Sequence, residues 1–194
     1  MAFWTTATGK DPKRQYRFIA EFADLGDSGC KWWVKNIDKP NITLSEASHE
    51  YLNHTFYYPG RVTWNSISCT FVDPLDPDAA ATMMQAIANS GYKPPDGPDS
   101  LGTVSKSNAI GSLGSVIITQ LDGDGGAIEK WKLNNAWIKS VSLSGLDYSG
   151  DSLSEVTIEM RYDWATLEAH GGTGIMTAGE LKEGTTLWAR SSTS

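Results

Sequence analysis

Between residues 153 and 164 apolar and polar side chains alternate with a period of two. Val156, Ile158, Met160, Tyr162 and Trp164 fall on one face, and Glu155, Thr157, Glu159, Arg161 and Asp163 on the other. This pattern predicts a strand of an antiparallel sheet with one covered and one polar face. "QYRFIAEF" (15 to 22) sets Tyr16, Phe18, Ala20 and Phe22 on one side, and "CKWWVKN" (30 to 36) follows the turn formers "DLGDSG", so the two predict a hairpin. "RVTWNSISCTFVDP" (61 to 74) brings Ile67, Cys69 and Phe71 onto one face. "SVIITQL" (115 to 121), "AIEKWKLNNAWIKSVSLSGL" (127 to 146) and "DSLSEVTIEMRYDWATLE" (151 to 168) read as a strand meander, with "DGDGG" and "DYSG" as its turns.

The period changes once. Asp76 is a suitable N-cap, Pro77 suits a first helical position, Asp78 favours the positive helix end and Gly91 supplies a stop, so residues 77 to 90 are expected to form the main helix. Ala80, Met83, Met84 and Ile87 are spaced to cover a sheet. Residues 37 to 60 have strand-like pieces without a sustained apolar face, the signature of an interaction arm. Residues 93 to 111, rich in Pro, Gly and Ser, read as a connection. The resulting expectation is a mainly β (α+β) chain, an antiparallel sandwich or split barrel with one main helix. An N-terminal arm (1 to 14) precedes the β domain (15 to 168), and a C-terminal arm (169 to 194) that orders against a partner follows it.

A chain of 194 residues, 40% hydrophobic and 20% charged, can bury one domain's core without metals or disulfides. No apolar run reaches the length of a signal peptide core or a membrane helix, so a soluble protein without membrane insertion is expected. Cys30 and Cys69 lack any CxxC spacing and read as buried thiols. A net charge of −7 argues against tight binding of nucleic acid, yet suits a surface past which a polyanion slides.

Candidate chemistry changes the picture little. Asp122, Asp124 and Glu129 resemble calcium ligands but fall short of the twelve-residue, helix-flanked loop, and a turn between strands explains them. His49 and His54 have a spacing that fits neither a helix face nor a strand face, and His170 has no nucleophile near it. "GSLGS" (111 to 115) lacks the lysine of a phosphate loop. No enzyme, cofactor or metal is expected. Of the eight tryptophans, Trp131, Trp137 and Trp164 share parity with apolar neighbours and read as core, while Trp4, Trp33 and Trp188 are candidates for contacts between copies.

The order of pieces, with "YRFIAEF", "GRVTWNSISCTFVD", the helix after it and "WKLNNAWIKSVSLSGLDYSGDSLSEVTIEMRYDWA", resembles the tail tube proteins of contractile-tailed bacteriophages, the bacteriophage T4 tube-subunit family, over roughly residues 12 to 168. The resemblance implies hexameric rings whose inner sheets join into one large barrel and which stack into a conduit inside a contractile sheath, in the virion tail. Partners would be other copies of the chain, the sheath protein, and baseplate and tail terminator proteins, with genomic DNA passing through without tight binding. The arm from Ile37 to Gly60 would be an inter-ring loop anchored by Tyr51, Phe56, Tyr57 and Tyr58, joined by Trp4 and Trp188 in the terminal arms. Glu155, Thr157, Glu159 and Arg161 become candidate lumen-lining residues, although the meander offers two such faces. A baseplate tube initiator, a secretion or bacteriocin tube, and a monomeric sugar-binding β-sandwich with a row of exposed tryptophans remain as alternatives.

Overall fold

The computed structural model describes residues 12–25, 33–76, 78–97 and 100–169. The alternating segments form two four-stranded antiparallel sheets. β1 (Phe18–Phe22), β6 (Val116–Leu121), β7 (Ala127–Asn134) and β10 (Trp164–Ala169) pair in the order β1-β6-β7-β10. β2 (Val34–Ile37), β5 (Ile67–Val72), β9 (Glu155–Arg161) and β8 (Trp137–Leu143) pair in the order β2-β5-β9-β8. The apolar face of each sheet meets the other: Ala20, Phe22, Ile118 and Leu133 from the first pack with Cys69, Phe71, Ile158 and Met160 from the second. The Phe22 and Phe71 rings lie 5.5 Å apart, tilted. Cys69 is a buried thiol, as its parity predicts; Cys30 lies outside the described residues.

The two longest strand segments of the sequence are each divided. Residues 127 to 146 run through β7 in one sheet, pass Asn135 at φ 56°, and continue as β8 in the other. Residues 151 to 168 do the same, leaving β9 at Arg161 and entering β10 at Trp164. The crossing breaks the alternation. Tyr162 and Ala165 are therefore the buried residues there, and Trp164, expected in the core, is 46% exposed.

α1 (Ala79–Asn89) begins later than the sequence suggests. Asp78, not Asp76, is its N-cap and accepts from the Ala81 amide at 2.8 Å, while Asp73 Oδ1 accepts from Ala79 N at 3.1 Å. Pro77 lies outside the described residues. Met83 is buried as its spacing predicts, with Ala79 and Ala86 beside it, whereas Met84 is 55% exposed. A second helix, α2 (Lys106–Leu113), occupies the segment read as a connection; Ser105 caps its start and Gly114, at φ 70°, ends it. "GSLGS" is thus the end of a helix, where the dipole disfavours an anion.

Residues 37 to 60 contain most of a long hairpin, β3 (Ile42–Tyr51) and β4 (His54–Trp64), paired only with each other. Every residue of β3 is exposed. Among the described residues no helix is long and apolar enough to cross a membrane.

Candidate assembly surfaces

Three features stand apart from the sandwich: its open sheet margins, the hairpin, and a cleft at the hairpin's root. The outer strands β1 and β10, β2 and β8 pair on one side only among the described residues, so neither sheet closes into a barrel. Each leaves a row of backbone donors and acceptors that another strand can complete.

The hairpin changes character at a bulge. Leu44 stands opposite Val62, and Glu46 opposite Pro59, so Ser45 faces the extra residues Gly60 and Arg61. The bulge needs glycine: a Cβ on Gly60 would fall 2.3 Å from Ser45 Oγ and 2.9 Å from Ser45 O. Arg61 N donates to Ser45 Oγ at 2.8 Å, fixing the step. Below the bulge Ile42, Leu44, Val62 and Trp64 share one face. Above it the oily residues, Tyr51, Phe56 and Tyr58, lie on the opposite face with Ala47, His49 and His54, while Tyr57 stands with Ser48 on the polar side. The His54 ring meets Phe56 edge-on at 4.7 Å. All four aromatic anchors expected from the sequence are exposed, but Tyr57 is directed away from the other three.

The root is fastened by ion pairs. Glu129, on the inner face of β7, accepts from Lys13, from Trp131 Nε1 and, at 2.9 Å, from Lys39, which also donates to Gln120 at 2.6 Å. Burial pushes the Glu129 carboxyl up, but the hydrogen bonds from Lys13, Lys39 and Trp131 outweigh it and hold its pKa at about 2. Lys39 lies three residues before the hairpin, so this buried carboxylate ties the hairpin to the first sheet. The acidic run is divided between a turn and the ion pairs: Asp122 Oδ1 accepts from Asp124 N and Gly126 N at 2.9 and 2.7 Å, and Glu129 is held by lysines. Among the described residues no group of three metal-binding side chains converges.

Glu155, Thr157, Glu159 and Arg161 do share the solvent face of the second sheet. Their surroundings offset the charge of the two glutamates. Glu155 pairs with Lys35, and Glu159 accepts from Lys139 and Ser66 at 2.7 and 2.6 Å; these bonds hold the Glu159 carboxyl below its ordinary value. Thr157 and Thr70 hydroxyls meet at 3.2 Å. The face is charge-balanced and rich in hydroxyls.

Arg161 ends that row in the wall of a cleft of about 570 Å³ between the hairpin root and α2, with Val62, Trp64, Val104, Lys106 and Trp137. Asp163 beneath it accepts from Lys106 Nζ at 2.7 Å and from Asn135 Nδ2 at 2.8 Å, which lowers its pKa. The Trp64 and Tyr162 rings are 5.9 Å apart. The Tyr162 hydroxyl is buried near the Asn41 backbone without a hydrogen bond of normal geometry among the described residues, and burial pushes its pKa up. Sequence reasoning missed this cleft because α2, one of its walls, was unrecognised.

Trp33, proposed from the sequence for contacts between copies, instead packs against the core together with Trp64 and Trp131. Trp164 is the one exposed tryptophan among the described residues, so the row of exposed tryptophans expected of a sugar-binding sandwich is not seen there. Trp4, Trp188 and His170 lie outside the described residues, as do the arms before residue 12 and after residue 169.

No family model and no curated protein matches the chain. Solved structures do. A chain of the sheath-tube complex of the extracellular contractile injection system PVC, in the extended state, is 16% identical over 85% of this chain and 99% of its own, with a TM-score of 0.62. A chain of the anti-feeding prophage tube terminating cap is 18% identical over 87% and 99%, with a TM-score of 0.62. A chain of the anti-feeding prophage baseplate is 14% identical over 83% and 98%, with a TM-score of 0.60. The likeness is to contractile injection systems and not specifically to the bacteriophage T4 tube subunit, and at these identities it is one of fold. The chain has the fold of proteins found in the sheath-tube, tube-cap and baseplate assemblies of contractile injection systems.

Proposed function

We infer that this chain is the structural subunit of a hollow tube, assembled from stacked rings of identical copies in a contractile machine. The observation that carries the reading is the pair of open sheets joined to a hairpin exposed along its length, which a lone molecule leaves unsatisfied. Neighbouring copies complete both, the sheet margins side to side and the hairpin from ring to ring through Tyr51, Phe56 and Tyr58. Trp4 and Trp188, in the terminal arms, are proposed to add inter-ring contacts. The family resemblance of the sequence implies six copies per ring, a contractile sheath outside, baseplate and terminator proteins at the ends, and a place in a phage tail through which DNA would leave the virion.

If Glu155, Thr157, Glu159 and Arg161 line the bore, their matched charges and hydroxyls give passing cargo neither strong attraction nor strong repulsion, a lining for fast transit. Electron microscopy of the purified protein tests the assembly. Rings or tubes of uniform bore are expected, and a monomer at all concentrations would overturn the reading.

A further inference from the structure

The loop between β8 and β9 (144 to 154) lies at one end of the second sheet, where Ser144 N bonds Glu155 O at 2.9 Å. Arg161, Trp137 and the cleft lie at the other end, six residues along β9, a rise of about 20 Å. The loop exposes Leu146 (95%), Leu153 (70%) and the whole of Tyr148 among the described residues. It also carries two acids, Asp147 and Asp151. The cleft offers the counterpart: apolar walls from Val62, Trp64, Val104 and Trp137, and cations from Lys106 and Arg161 at its rim. Lys106 already pairs with Asp163, whereas Arg161 has no acidic partner among the described residues.

We propose that the 144 to 154 loop of one copy docks in the cleft of a second copy, with Tyr148 and Leu146 entering between the hairpin root and α2, and Asp147 or Asp151 meeting Arg161. Donor and acceptor sit at opposite ends of one sheet, so the contact is head-to-tail. Where the step between copies runs along an axis and does not close into a ring, such a contact repeats without end, as stacking requires. Matching charge and apolar shape select this occupant. The docking rests on the tube reading and adds to the hairpin a second pair of surfaces that join its rings.

The full-length protein tests it by charge reversal and by cross-linking. Asp147→Lys with Asp151→Lys is expected to leave rings intact and to cut stacked rings about tenfold by electron microscopy, because like charges then oppose at the rim. Tyr148→Cys with Val104→Cys, oxidised after assembly, is expected to give a ladder of covalent multimers that neither single variant gives. Tubes that stack normally after charge reversal, or that yield no ladder, overturn the docking while leaving the tube intact. A wild-type protein that forms neither rings nor tubes overturns the tube reading and the docking with it.

Discussion

Asn135 donates to Asp163 across 2.8 Å, so the two places where the chain leaves one sheet for the other are fastened together. Asp163 N also donates to Asn134 O at 3.1 Å, and Lys106 brings the start of α2 to the same carboxylate. Removing that carboxylate leaves two donors without their acceptor. Asp163→Ala is expected to cost about 1–2 kcal/mol in denaturant unfolding, with the slope unchanged.

Asn135 is held at φ 56°, a conformation open to Asn and Gly but hostile to branched side chains. Asn135→Gly should fold almost as well as the wild type. Asn135→Val should lose about 1–3 kcal/mol, read as a lower melting temperature.

Glu129 has a folded-state pKa near 2, below the ordinary value of 4.5. A depressed carboxylate contributes its stability above the unfolded pKa and loses it as pH falls through the folded one. The contribution, on the order of 3 kcal/mol, should thus be present above about pH 4.5 and vanish toward pH 2. Denaturant midpoints measured from pH 2 to 6 should fall on acidification, and Glu129→Gln should flatten that part of the profile.

Gly60→Ala forces a Cβ against Ser45 in a segment that contributes little to the core. Thermal unfolding of the body should change by less than about 1 kcal/mol, because surface changes seldom cost more. Tube formation should fall sharply, since the bulge sets which face the hairpin tip presents. Microscopy beside calorimetry separates the two effects.

The sandwich was legible wherever parity decides burial. Ile67, Cys69, Phe71, Val156, Ile158 and Met160 are all buried, as their alternation requires. The sheet crossings were not, because apolar letters continue through Tyr162 and Trp164 although the backbone turns between them. The pair Asn134 and Asn135 was the available signal, since asparagine tolerates a left-handed backbone. α2 escaped because it buries only Ala109 and Leu113 and carries Gly111 inside it; Ser105 and Gly114, its two stops, were the clue. That the hairpin stands apart from both sheets was legible in its lack of one apolar face, but the reason lay in the bulge, which only register reveals. The cleft joins residues from four separate segments, a convergence that spacing along a chain does not encode.

The bulge at Gly60 has a geometric corollary. A ribbon whose oily side changes hands halfway along cannot be satisfied by lying flat on any one neighbour: the lower half must be gripped from one direction and the upper half from the other. On the tube reading, the lower half is held by the ribbon's own body, against which Trp64 packs, and the upper half is left for a different one, so the ribbon acts as a rivet between bodies.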